Sequence, residues 1–82
     1  MEVGVEISFY PLQREEFLAP IRALIERLNS QPGVRVVTNS MSTQLYGEYG
    51  EVMRILTHEL RTALAARWRS VIMLKLVGPL ED

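Results

Sequence analysis

Val3, Val5, Ile7 and Phe9 alternate with Glu2, Gly4, Glu6, Ser8 and Tyr10. A period of two marks a strand with one buried face, and Pro11, which cannot donate to a ladder, ends it. Phe17, Ile21, Leu24, Ile25 and Leu28 follow at steps of 4, 3, 1 and 3, which places them on one stripe of a helix. Pro20 fits that helix only in its first turn, where backbone N–H groups lack intrahelical partners, so the helix is expected to start near Glu16. Asn29, Ser30 and Pro32-Gly33 stop it and supply a turn. Val34 to Thr38 reads as a short β-branched strand, Asn39-Ser40 as a turn, and Met41 to Tyr46 as a third strand, antiparallel to the second. Gly47 and Gly50 bracket an expected polar connection. Val52, Ile55, Leu56, Leu60, Ala63 and Leu64 then form a second amphipathic stripe, with a helix end expected near Arg67. Val71 to Val77, interrupted by Lys75 and closed by Gly78-Pro79, is the fourth strand.

The order β-α-β-β-α-β predicts an α+β, ferredoxin-like fold: a four-stranded antiparallel sheet with both helices on one face. Right-handed crossovers put the first and third strands in the middle, which gives the sheet order 4-1-3-2. The other face stays open. A core of this size seldom supplies more than about 3 to 5 kcal/mol, so a homo-oligomer, a dimer or tetramer joined through the open face, is the expected assembly. With no repeat, linker or low-complexity segment, residues 1–82 are expected to form a single domain.

Composition narrows the function by exclusion. No uninterrupted apolar run exceeds four residues, as in Val71–Leu74, against the roughly 18 to 20 needed to span a bilayer. No membrane partner is expected. The N-terminus lacks a basic segment ahead of an apolar one, so a cytoplasmic location is expected. The absence of Cys, with one His, removes disulfides, thiolate nucleophiles and most zinc sites, and neither a metal nor a cofactor is expected. Nine Lys and Arg against ten Asp and Glu leave a net charge of −1, which argues against nucleic acid as a partner.

Catalytic chemistry finds little to work with. His58 lies mid-helix between Arg54 and Arg61 and reads as a solvated residue of the helix surface, and that basic strip, with Arg67 and Arg69, suits a helix C-terminus. No pair of carboxylates is spaced for general acid and base work, and neither glycine cluster has phosphate-loop spacing. An acylphosphatase-like enzyme would need a Gly-rich anion loop around Arg14, and none accompanies it. Trp68 is expected to cap the core, and Met41, Met53 and Met73 to fill it. Glu6 and Lys75 are expected to pair on neighbouring strands. The informative groups are polar ones on central strands: Ser8 and Tyr10 on the first, and Ser42, Thr43 and Gln44 on the third, beside Phe9 and Tyr46. They could furnish a site for a flat polar heterocycle; the alternatives are a hairpin facing solvent or a subunit contact.

Three segments carry a family resemblance: Ile7-Ser8-Phe9-Tyr10-Pro11-Leu12, Thr38-Asn39-Ser40-Met41-Ser42-Thr43 running on to Tyr46-Gly47-Glu48, and Val71-Ile72-Met73-Leu74-Lys75. Together they resemble the YkoF-like family of thiamine and hydroxymethylpyrimidine binding proteins. The resemblance implies a ferredoxin-like fold, in tandem copies or oligomers, that binds the pyrimidine part of thiamine without catalysing a reaction, in vitamin transport, salvage or sensing. It implies ligand contacts at Ser8, Tyr10, Asn39, Met41, Ser42 and Thr43. Hydroxyls and an amide suit an aminopyrimidine, and an aromatic ring or a thioether suits its face. A thiazolium would favour a carboxylate, for which Glu6, Glu48 and Glu51 are candidates. Gln13-Arg14-Glu15 departs from the small turn residue expected after Pro-Leu. The rival expectation is an oligomeric interaction module with no metabolite ligand.

Overall fold

The computed structural model describes residues 1–12, 18–39, 41–65 and 69–80. In chain order the elements are β1 (Glu2–Pro11), α1 (Leu18–Asn29), β2 (Arg35–Thr38), β3 (Thr43–Glu48), α2 (Tyr49–Leu64) and β4 (Ser70–Val77). The sheet runs β2-β3-β1-β4 with every pairing antiparallel, the ferredoxin-like order expected from the pattern. No helix among the described residues is long and apolar enough to cross a membrane.

Alternation along β1 divides the chain between two faces. Val3, Val5 and Ile7 are buried, together with Leu45 of β3, against Leu24 and Leu28 of α1 and Val52, Ile55 and Leu56 of α2. Glu6, Ser8 and Tyr10 point the other way. The register sets Glu6 opposite both Gln44 and Lys75, and the Lys75 ammonium comes within 3.8 Å of the Glu6 carboxylate, the expected pair. Both side chains meet water, so the pair adds at most about 1 kcal/mol. Tyr46 lies across Gly4, where a Cβ would meet its ring at 2.8 Å, and the Arg35 guanidinium sits 4.4 Å from the ring centre. Gly4 is thus the residue that lets an aromatic ring lie flat on the sheet.

Helix 1, as described, holds Pro20 in its first turn, as its missing N–H requires; Glu16 and Phe17 lie outside the described residues, as do Arg14, Arg67 and Trp68. Three boundaries differ from the sequence pattern. The expected polar connection between Gly47 and Gly50 does not exist: β3 runs through Gly47 to Glu48, and α2 starts at Tyr49. Gly47 belongs to the sheet because it pairs with Val3 and packs under Val34 and Val52. Helix 2 closes at Leu64 with Ala65 as its C-cap, short of Arg67. The third strand starts at Thr43 rather than Met41, because the Asn39 side chain accepts from the backbone N–H of Met41 at 2.8 Å and of Ser42 at 3.1 Å, folding those residues into a turn. The methionines also divide: Met53 packs on the core, whereas Met41 and Met73 are 85% and 58% exposed.

Glu48 caps α2, its carboxylate accepting from the N–H groups of the first turn, including that of Glu51 at 3.3 Å. The Gly50 and Glu51 N–H groups hold its carboxyl below the usual carboxylate range. A folded-state value lowered in this way stabilises the fold above the unfolded-state pKa and is lost as pH falls through the folded one. In urea titrations from pH 6 down to pH 2.5, Glu48→Gln should therefore lose less stability below about pH 4 than the parent. Equal slopes would show that the cap carries no charge-dependent component.

The fourth strand is apolar and uncovered. Val71, Met73 and Val77 lie on the open face, and Leu74 and Leu76 on the helix side, and each of these residues is at least 43% exposed.

Candidate functional site

The six candidate residues come from two places in the chain, and the fold brings them to one end of the sheet. A cleft of about 230 Å³ opens there between the second half of β1, the buried stripe of α1 and the β2–β3 hairpin. Its apolar wall is Ile7 and Phe9 from the sheet and Ile21, Leu24, Ile25 and Leu28 from the helix. Ser8, Tyr10, Asn39, Met41, Ser42 and Thr43 complete the lining, with Thr38 beside them.

Register explains the convergence. Thr38 and Thr43 form the last pair of the β2–β3 ladder, and Thr43 is also opposite Ile7 on β1, so the hairpin ends beside Ser8 to Tyr10. Beyond that pair, the Asn39 turn carries Met41 and Ser42 back over the edge of the cleft.

Each polar group has a definable hydrogen-bonding state. Thr43 is 7% exposed, and its hydroxyl hydrogen-bonds that of Thr38 at 3.3 Å, either one able to donate. Asn39 Oδ1 is occupied by two backbone N–H groups, whereas its Nδ2 donors have no protein partner among the described residues. Ser42 Oγ donates to Glu6 Oε2 at 3.0 Å, which leaves its lone pairs available. Tyr10, 50% exposed, and Ser8 carry hydroxyls on the open-face side of β1, with no hydrogen-bond partner among the described residues. No cluster of His, Asp or Glu suited to a metal occurs among the described residues. The arrangement can bind a small flat molecule between an apolar wall and a rim of donors and acceptors.

Other residues considered with the site lie elsewhere. Tyr46 and Gln44 point to the open face, where the Tyr46 hydroxyl donates to Gln44 Oε1 at 2.7 Å; Tyr46 shares strand parity with Gln44, not with Thr43. Glu48 and Glu51 sit at the opposite end of the sheet, beside Glu2. None of the carboxylates Glu6, Glu48 and Glu51 lines the cleft; Glu6 accepts from Ser42 on the open face.

A model described as the YKOF-related family matches residues 2–76. The chain belongs to the YKOF-related family. No curated protein matches this YKOF-related chain. Solved structures do. A protein of Streptococcus pneumoniae is 30% identical at a TM-score of 0.84, covering 98% of this chain and 90% of that one. A protein of Methanocaldococcus jannascii is 26% identical at a TM-score of 0.81, covering 99% and 84%. A candidate thiamine biosynthesis/salvage protein of Thermotoga maritima is 23% identical at a TM-score of 0.83, covering 96% and 85%, a likeness of fold.

Two features of this YKOF-related domain escaped the sequence pattern. The α1 wall reads in sequence as ordinary core, and only the gap it leaves against the hairpin shows it as cleft. Glu59 is 2% exposed between the helices, where its carboxylate accepts from Arg27 Nε and, at 3.3 Å, from Gln31 Nε2. Its position was a usable signal, since Glu59 falls on the stripe of Val52, Ile55, Leu56 and Ala63 that α2 buries. A charge on a buried stripe needs a partner.

Proposed function

We propose that this protein binds the aminopyrimidine moiety of thiamine, or free hydroxymethylpyrimidine, without catalysing a reaction, in vitamin transport, salvage or sensing. The observation that carries the reading is the cleft itself, which Ser8, Tyr10, Asn39, Met41, Ser42 and Thr43 line together with an apolar wall from α1. Family membership supports it, as does the fold shared with a candidate thiamine biosynthesis/salvage protein. Size argues for the pyrimidine as the recognised part. About 230 Å³ falls below the roughly 300 to 1,000 Å³ typical of sites for drug-sized ligands, and suits one ring with the remainder of the molecule outside. Among the described residues the cleft lining holds no His, Asp, Glu or Lys to act as acid or base, which favours a binding role over an enzymatic one.

The test is a thermal-shift titration with hydroxymethylpyrimidine, thiamine and thiamine phosphates, backed by calorimetry. A ligand at a hundredfold excess over its Kd, binding only the folded state, should raise Tm by roughly 10 °C or more. Ser42→Ala and Thr43→Val should reduce that shift while leaving the unliganded Tm within a few degrees. No saturable shift at millimolar ligand, in folded protein, would sink the reading.

A second reading, an oligomeric interaction module with no metabolite, draws on the uncovered apolar residues of β4 and the open face. We expect self-association through that face in either case, which analytical ultracentrifugation would measure. If Ser42→Ala and Thr43→Val altered assembly and no ligand shifted Tm, the module would be preferred.

A further inference from the structure

Main-chain hydrogen bonding in an antiparallel strand alternates between its two edges, residue by residue. Bonds at the strand ends fix the phase here. Leu12 N–H donates to the Arg69 carbonyl at 2.9 Å, which turns the even-numbered residues of β1 toward β4. Tyr49 N–H donates to the Met1 carbonyl at 2.8 Å, which turns the odd-numbered ones toward β3. Asn39 N–H donates to the Ser42 carbonyl at 3.1 Å, so the even-numbered residues of β3 serve β2 and the odd-numbered ones, from Thr43 onward, serve β1. Phe9 is odd. Ile7 pairs with Thr43, so the place opposite Phe9 belongs to Met41, but the Asn39 side chain holds the Met41 and Ser42 N–H groups in the turn. The N–H and C=O of Phe9 therefore point into the gap beyond the Ile7–Thr43 pair, and they have no partner among the described residues. That gap is part of the cleft, which Phe9, Asn39, Met41 and Thr43 all line. The open edge is short, because Pro11, the next odd residue, has no N–H. It suits a small molecule rather than an added peptide strand.

We infer that the main chain of Phe9 is a polar recognition element of the cleft: its N–H donates to a ring nitrogen of the ligand, and its C=O accepts from an amino group beside that nitrogen. This rests on the aminopyrimidine reading and deepens it. The N–H and C=O of one strand residue lie side by side on the same edge, and they match a planar molecule that carries an acceptor next to a donor. A ring held in this way continues the plane of the sheet where the ladder stops, with one face toward Ile21 and Ile25 of α1. Ser8 and Tyr10 carry their side chains to the open-face side, so the polar groups that β1 turns toward the hairpin at this level are main-chain ones. The apolar wall beside them makes unpaired groups costly, so a ligand that pairs them gains more than it would at a fully solvated edge.

The test reads the Phe9 amide directly by nuclear magnetic resonance. Ser8-Phe9 is the only Ser-Phe pair in the chain, so labelling the carbonyl of Ser and the amide nitrogen of Phe selects that one peptide group. In the unliganded protein the Phe9 amide should exchange its hydrogen freely. Saturating hydroxymethylpyrimidine should slow that exchange by about tenfold or more and move the amide proton downfield. Calorimetry then compares hydroxymethylpyrimidine with its analogue lacking the 4-amino group, which leaves the Phe9 carbonyl unpaired. The amino compound should bind about tenfold more tightly, the scale of one lost hydrogen bond at such a site. A Phe9 amide already protected in the free protein, one left unchanged by hydroxymethylpyrimidine that calorimetry shows to be bound, or equal Kd values for the two compounds would overturn the inference while leaving the binding reading intact. A protein that binds neither compound would overturn both.

Discussion

Leu28→Ala is expected to lower the thermal midpoint by 10 °C or more. Leu28 is fully buried in the core cluster that also holds Val5 and Ile7, and it forms part of the cleft wall. Truncating a buried Leu to Ala costs about 2 to 5 kcal/mol, because transfer energy is lost and the cavity relaxes only in part. In a domain of this size each kcal/mol moves Tm by roughly 4 to 8 °C. Relaxation is hampered here, since the neighbouring space is already a cleft and the helix is held at its C-terminal end by Ser30 and Gln31 bonding back to the last turn. Differential scanning calorimetry reads the midpoint directly. A loss under 3 °C would mean that α1 moves in to fill the gap, and the cleft would then be a soft feature of the fold rather than a preformed one.

The second large effect concerns the two helices. Arg27→Met leaves the Glu59 carboxylate, 2% exposed, with Gln31 as its remaining hydrogen-bond donor, and should cost about 3 kcal/mol. Arg27 itself is one-third exposed, so the figure belongs at the low end of the range for a broken buried pair. The double replacement Arg27→Met with Glu59→Met should be more stable than Arg27→Met alone, because it removes the stranded charge together with its partner. Urea denaturation of the parent, Arg27→Met, Glu59→Met and the double variant gives the coupling, expected at about 1 to 3 kcal/mol. If the double variant were the least stable, the pair would be contributing net stability rather than orienting the helices.

Periodicity was sufficient for the fold, because each element of this chain has a strong signal of its own. Alternation over Val3 to Phe9 and the stripe from Val52 to Ala63 leave little choice of element type, and β-α-β-β-α-β then leaves little choice of topology. Boundaries suffered where side chains, not patterns, decide them. Asn39 delays β3 by taking two N–H groups, and Glu48 turns the end of a strand into the cap of a helix with no loop between. The candidate residues were legible as motifs, but their convergence was not, since it depends on the register that places Thr43 opposite Ile7. Tyr46 shows the reverse error: close to Thr43 in sequence, it faces the other side because parity along a strand is strict. The hydrogen bond from Ser42 to Glu6 joins residues 36 apart in sequence, which no local pattern encodes.

The central position of β1 has a bearing on how the chain reaches its native state. Its two hydrogen-bonding partners, β3 and β4, begin at Thr43 and Ser70, so a ribosome must deliver nearly the whole domain before the first strand can be satisfied on both edges. Pairings this distant in sequence close slowly. During that interval Val71 to Leu74 is an apolar segment with both faces uncovered, the kind that templates aggregation, and even in the finished fold its outer edge stays open. Lys75, directly after that run, is the gatekeeper charge that interrupts it. The lysine that pairs with Glu6 therefore also guards the nascent chain, and solubility during synthesis constrains the same position.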